Sequence, residues 1–255
     1  MVYSRDEVVA IVTDYYKFIL RINHEPEDLK VPPEGGWTTI PADALRTQGG
    51  RSDDVIDLLR HLPYLASDNL ESHVIPETSC TDYAHLSQDY REALDRGRFD
   101  GVVEPSLDEG EALGRDVVCI ADGRRHAWSL LLDLTNGTII WHSNDGSWGD
   151  EDYDLGDILP GNSPRVVESP AGWRNQPTYD LKYFFSEFCK NRLNEMKWLP
   201  HIDGEIRSVH PRDDDDDEAM LQRQMLRDAG WPGDGDAGGN WDQETWLSDE
   251  RHEEL

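Results

Sequence analysis

Ser4-x-x-Glu7 reads as a helix capping box. Behind it Val8, Val12, Tyr15, Tyr16 and Ile19 recur at i, i+4, i+7, i+8 and i+11. That spacing predicts an amphipathic helix of about four turns, ending before Pro26. Pro32-Pro33-Glu34-Gly35-Gly36-Trp37 reads as a turn-rich linker, and Ile40 and Leu45 fit a short helix after Pro41. Ser52 is placed to cap a second helix with Asp53 and Asp54 in its first turn. That helix runs through Val55 to Arg60 and stops near Pro63. Cys80 precedes a polar stretch predicted to be helical over 82–95. Residues 97–115 carry no period and are expected to form a long loop.

The pattern then changes from helical to extended. Residues 116–121 are apolar and β-branched, Asp122-Gly123 is a hairpin turn signal, and His126 to Leu134 follows as a second strand. Asn136-Gly137 is the strongest two-residue turn signal in the chain, and 138–142 forms a third strand. Three strands joined by short turns predict an antiparallel meander over 116–142. Val166-Val167 is a candidate edge strand. Thr178 is expected to cap a long helix in which Leu181, Phe184, Phe185, Phe188 and Cys189 share one face. The predicted class is α+β: a central, mainly antiparallel sheet flanked by N-terminal and C-terminal helices.

After Pro200 the composition shifts. Residues 201–255 hold 17 acidic and 5 basic side chains, against 36 and 19 in residues 1–200. This divides the chain into an α+β domain, 1–200, and an acidic tail, 201–255. The run Asp213 to Asp217 with Glu218 suits a helix start, so a short helix is predicted over 218–229 with Met220, Leu221, Met225 and Leu226 as its apolar groups. Such a helix is too short to stand alone and must dock, in cis or on a partner. Gly233 to Asn240 is rich in Gly and Asp and is predicted to be flexible. Trp241 and Trp246 then either fold back or form a contact motif.

The formal net charge is -29 over 255 residues. A surface so negative repels phosphate, so nucleic acid and anionic membranes are not expected partners. No run approaches the length of a membrane span, and residues 1–6 lack the basic and apolar segments of a secretory leader. Cys80, Cys119 and Cys189 are few and widely spaced, as in a reducing compartment; a cytoplasmic or nuclear protein is expected.

The carboxylates of Asp150, Asp152 and Asp154 alternate as in a calcium loop. The glycine is one place late, however, and Gly161 stands where a bidentate Glu is needed. No zinc spacing, phosphate loop, dinucleotide fingerprint or nucleophile elbow is present, so no metal or cofactor is expected. One catalytic arrangement can be drawn. Cys80 would open a helix, where the dipole lowers a thiol pKa, and His126 and Asp145 would follow on strands as base and orienting carboxylate. Cys80-Thr81-Asp82, His126-Ala127-Trp128 and Asp145 resemble transglutaminase-like cysteine enzymes in order over about 65 residues.

A second resemblance covers most of residues 5–232. Its words are Gly35-Gly36-Trp37, the run Asp54 to Tyr64, Pro76-Glu77-Thr78, Asp82-Tyr83, the run Leu131 to Ile139 and Gly230-Trp231-Pro232. Together they resemble uncharacterised acidic proteins of filamentous fungi related to the SUKH superfamily of cell-wall-synthesis regulators and toxin-immunity proteins. That resemblance implies an α+β protein-binding scaffold with no catalytic residues. On this reading Trp37, His61, Trp148, Asp150, Asp152 and Asp154 are the candidate binding residues. An exposed Trp among carboxylates fits a basic protein partner. The expected function is a non-enzymatic, regulatory interaction scaffold; the alternative is the cysteine enzyme using Cys80, His126 and Asp145.

Overall fold

The structure, a computed structural model, describes residues 4–23, 25–66, 72–98, 103–105, 107–108, 110–123, 127–144, 158–159, 169–209, 217–232 and 240–255. Helix α1 (Arg5–Asn23) starts as its capping signal requires, the Glu7 amide donating to Ser4 Oγ at 3.4 Å. Val8, Val12, Tyr15, Tyr16 and Ile19 are all buried, joined by Phe18 and Ile22. A two-residue strand β1 (Leu29–Lys30), α2 (Ala42–Thr47) and α3 (Asp53–His61) follow. Ser52 Oγ caps α3 by accepting from the Val55 amide at 3.3 Å. Strand β2 (Tyr64–Leu65) returns antiparallel to β1.

The sheet has six antiparallel strands in chain order: β3 (His73–Ile75), β4 (Thr78–Cys80), β5 (Val117–Asp122), β6 (Trp128–Asp133), β7 (Thr138–Ser143) and β8 (Thr178–Asp180). The predicted meander is its centre. Alternate residues of a strand point to opposite faces. Here Val118, Ile120, Leu130, Leu132, Ile139 and Trp141 enter the main core with α1 and α3. Val117, Cys119, Leu131 and Ile140 enter a smaller cluster with Leu113 and Trp173. Both faces are covered, which is why β6 is buried along its whole length and reads as a nearly unbroken apolar run.

Three expectations are corrected. Cys80 does not open a helix: it closes β4, paired to Ala121, and the helix predicted over 82–95 is shorter, α4 (Gln88–Asp95), capped by Ser87. Thr178 does not cap the long C-terminal helix. It pairs with Ile140 in β8, and the cap is Asp180, whose carboxylate accepts from the Tyr183 amide at 3.0 Å. That helix is also not uniform. α5 (Leu181–Tyr183) passes through a π-helical segment, Phe184–Cys189, into α6 (Lys190–Asn194). Leu181, Phe184, Phe185, Phe188 and Cys189 are nonetheless all buried on the sheet side.

Beyond the sheet, β9 (Trp198–Pro200) and β10 (Ile206–Ser208) form a hairpin. Helix α7 (Asp217–Asp228) docks on it through Gln222, whose Nε2 donates to the Pro200 carbonyl at 2.8 Å. Met225 and Leu226 are buried with Ala219 and Gln222, whereas Met220 stays exposed on the opposite side of the helix. α8 (Gln243–Leu247) brings Trp246 into the core, and Trp231 is buried as well. The predicted strand at 166–167 and the Gly-rich stretch 233–239 lie outside the described residues. No helix among the described residues is long and apolar enough to cross a membrane.

Candidate functional site

The hairpin between β3 and β4 turns on Pro76-Glu77. Proline fixes the second turn position, and Glu77 takes φ +55° at the third, as in a type II turn. Glycine or asparagine is the usual occupant there, because a left-handed conformation costs an L-residue about 1–2 kcal/mol. The turn is held from outside: the Glu77 amide donates to the Ile206 carbonyl at 3.1 Å and Thr78 Oγ1 donates to the Pro76 carbonyl at 3.0 Å. Glu77 is thereby kept exposed at the tip, beside Gly123 at the end of β5.

A cleft of about 610 Å³ opens between this tip, the N-terminal side of α4 and the β9–β10 loop. Its described lining carries the carboxylates of Glu77, Asp82, Asp122 and Glu205 and the imidazoles of His73 and His85, with no Lys or Arg. Asp82 is fixed by its own turn: Oδ1 accepts from the amides of Ala84 at 2.9 Å and His85 at 3.1 Å, and Oδ2 lies 2.6 Å from His85 Nδ1. Asp122 Oδ1 accepts from Ser129 Oγ at 2.7 Å and Asn144 Nδ2 at 3.3 Å. Glu205 sits on the β9–β10 loop, which His73 anchors by accepting the Ile206 amide on Nδ1 at 3.1 Å. Arg207 contacts Glu205 at 3.4 Å but reaches Glu218 more closely, at 2.7 Å. Arg124, Arg125 and His126, next in the chain after Gly123, lie outside the described residues.

Among the described residues no three His, Cys, Asp or Glu side chains are grouped to hold a metal ion. The arrangement is chemically suited to several separate positive groups.

Cys80 also borders the cleft. Its thiol is half-buried, accepting from Tyr16 Oη at 3.4 Å, and desolvation pushes it up to about 11 despite that hydrogen bond. The helix dipole expected to lower it is missing, because Cys80 belongs to a strand. His126 and Asp145 lie outside the described residues, as do Trp148, Asp150, Asp152 and Asp154.

Trp37 stands next to the cleft. Its indole meets the His85 ring edge-on at 5.3 Å and donates to the Leu62 carbonyl at 2.9 Å. Gly36, at φ +82°, allows this approach, since a β-carbon there would come within 2.7 Å of the Arg60 carbonyl oxygen. His61 lies elsewhere, at the end of α3, with Nδ1 2.7 Å from the Asp57 carbonyl. Trp37 thus touches the cleft residue His85 without lining the cleft, and His61 stands apart from it.

Sequence reasoning missed Glu77, Asp82, Asp122, Glu205, His73 and His85 as a group. Glu77 and Asp82 lie in the segments that carry the SUKH resemblance, but nothing in their spacing announces a shared cleft. No family model, no curated protein and no solved structure matches the chain.

Proposed function

We propose that the chain is a non-enzymatic protein-binding scaffold whose acidic cleft receives lysine or arginine side chains of a basic partner. One observation carries this reading: four carboxylates, supplied by the β3–β4 turn, the segment before α4, the end of β5 and the β9–β10 loop, line one cleft with no Lys or Arg in its described lining, Arg207 reaching only Glu205 of the four, from outside it. A unit charge about 4 Å from an opposite one gains about 4 kcal/mol at the effective dielectric of a protein surface. The net charge of -29 adds long-range steering of a positive partner. Trp37 at the margin offers an aromatic face for the aliphatic stem or cation of the same side chains. A SUKH-like scaffold remains part of this proposal and is consistent with the α+β fold.

The rival is a cysteine enzyme built on Cys80, His126 and Asp145. Its nucleophile borders the same cleft, but a thiol held near 11 is protonated at neutral pH. The test of binding is a fluorescence titration with a labelled Lys/Arg-rich peptide and with a Gln-substituted control of the same length. The basic peptide is expected to bind at low ionic strength and to weaken steeply with salt. Equal binding of both peptides, or none of either, contradicts the proposal.

A further inference from the structure

Residues 240–255 lie as a strap across the C-terminal end of α1 and against α7. Trp241 Nε1 donates to the Arg21 carbonyl at 2.6 Å and Gln243 Nε2 to the Leu20 carbonyl at 3.3 Å. A line of ring contacts links the strap to the core: Phe18 to Trp231 at 5.6 Å, Trp231 to Trp241 at 5.0 Å, Trp241 to Trp246 at 6.4 Å and Trp246 to His252 at 4.4 Å. His252 ends the line and also meets the His201 ring at 6.2 Å.

The His252 ring has one good partner. Nε2 lies 2.8 Å from the Trp246 carbonyl, which can only accept, so Nε2 carries the hydrogen. Nδ1 is buried, and no described group bonds to it. In the neutral ring Nδ1 is a bare lone pair. In the protonated ring it is a second N–H, buried without an acceptor, which costs the donor's desolvation.

The charged neighbours do not repair this. On the strap itself, Asp249 is bound to Arg251 at 2.6 Å. From α7, Asp228 takes the same guanidinium at 2.9 Å. From the end of β9, His201 presents a second imidazole, whose own Nδ1 lies 2.9 Å from Asp203. Both facing cations, Arg251 and a charged His201, oppose a proton on His252; Asp249 favours one.

We infer that His252 is an acid-sensitive latch, holding the strap 240–255 docked while its ring is neutral and releasing it when the ring gains a proton. Burial holds the docked ring below the ordinary histidine value of 6.5. The released strap therefore binds the proton more tightly than the docked one. Docking is strongest above that ordinary value and weakens as pH falls below it. Release uncovers Trp231, Trp241 and Trp246. This inference does not depend on what fills the cleft.

Hydrogen exchange of the full chain, compared at pH 7.5 and 5.5 after correction for intrinsic rates, reads the latch directly. Protection of peptides from 240–255 is expected to fall several-fold at the lower pH while β6 holds. The His252→Gln variant keeps an uncharged N–H donor and should lose that pH response. Unchanged strap protection in the natural chain overturns the inference, as does an equal acid response in His252→Gln. If His252→Gln fails to dock at pH 7.5, His201→Gln decides the matter. Its acid response must persist, and its loss would assign the sensor to His201 instead.

Discussion

Gly123 lies so close against the main-chain oxygen of Glu77 that a β-carbon on it would overlap that oxygen, and Ala127 crowds it from the other side. The two hairpin tips, β3–β4 and β5–β6, thus touch through a position with no side chain. The Gly123 amide also donates to the Trp128 carbonyl at 2.7 Å, so it cannot swing away without breaking the end of the ladder. This contact fixes where Glu77 stands relative to Asp122.

Gly123→Ala should therefore act on stability and on the cleft together. Overpacking of this kind costs about 1–3 kcal/mol. A thermal melt should show a midpoint lowered by several degrees, and affinity for a basic peptide should fall in the variant that remains folded. An unchanged melting midpoint would mean the tips are not packed as described.

The Cys80 thiol gives a chemical check on the enzyme reading. With its pKa near 11 against an ordinary 9.0, the thiolate fraction at pH 8 is about a hundredfold below that of a free cysteine. Alkylation by iodoacetamide in the folded chain should be slowed by about that factor. Cys119 and Cys189 are fully buried and should not react until unfolding. Fast, stoichiometric alkylation of Cys80 at neutral pH would return the nucleophile to consideration.

Arg51 is a second structural anchor. Its buried guanidinium pairs with Glu104 and donates to the carbonyls of Leu113 at 3.0 Å and Gly114 at 2.9 Å. Arg51→Met leaves a buried carboxylate and two carbonyls without that donor, a loss of about 3–5 kcal/mol. Adding Glu104→Gln removes the buried charge that faced the lost guanidinium and should recover part of it. Chemical denaturation of the three proteins measures both steps, and equal midpoints for all three would contradict the pairing.

The parts of the fold that were legible in the sequence are those where a single period decides. The buried stripe Val8, Val12, Tyr15, Tyr16 and Ile19 needs only one apolar face, and the meander needs only alternation with Asp-Gly and Asn-Gly turns. Thr178 and Asp180 are both good helix caps, so their spacing alone does not say which one starts the helix. Only the pairing of Thr178 with Ile140, a contact between distant segments, makes one of them a strand residue. The hairpin that ends in Cys80 carries no glycine signal, because Glu77 takes the positive φ in its turn, so the pattern before 82–95 reads as a helix start. The cleft could not be read at all. Its carboxylates run from position 77 to position 205 on four separate segments, and only the packing of the sheet, the segment before α4 and the β9–β10 loop brings them to one cleft.

The most direct measurement compares two double variants of equal charge. Glu77→Gln with Glu205→Gln removes two cleft carboxylates. Glu7→Gln with Glu187→Gln removes two exposed carboxylates outside the cleft lining. Each change lowers the negative charge of the chain by the same amount, so bulk attraction of a basic peptide is matched. Titration at fixed salt should show affinity reduced about tenfold or more in the cleft variant, the effect of two lost ion pairs in a partly desolvated site. The surface variant should bind as the natural chain does. Equal affinities for the two variants would contradict the account, because they would place binding on the acidic surface as a whole and not in the cleft.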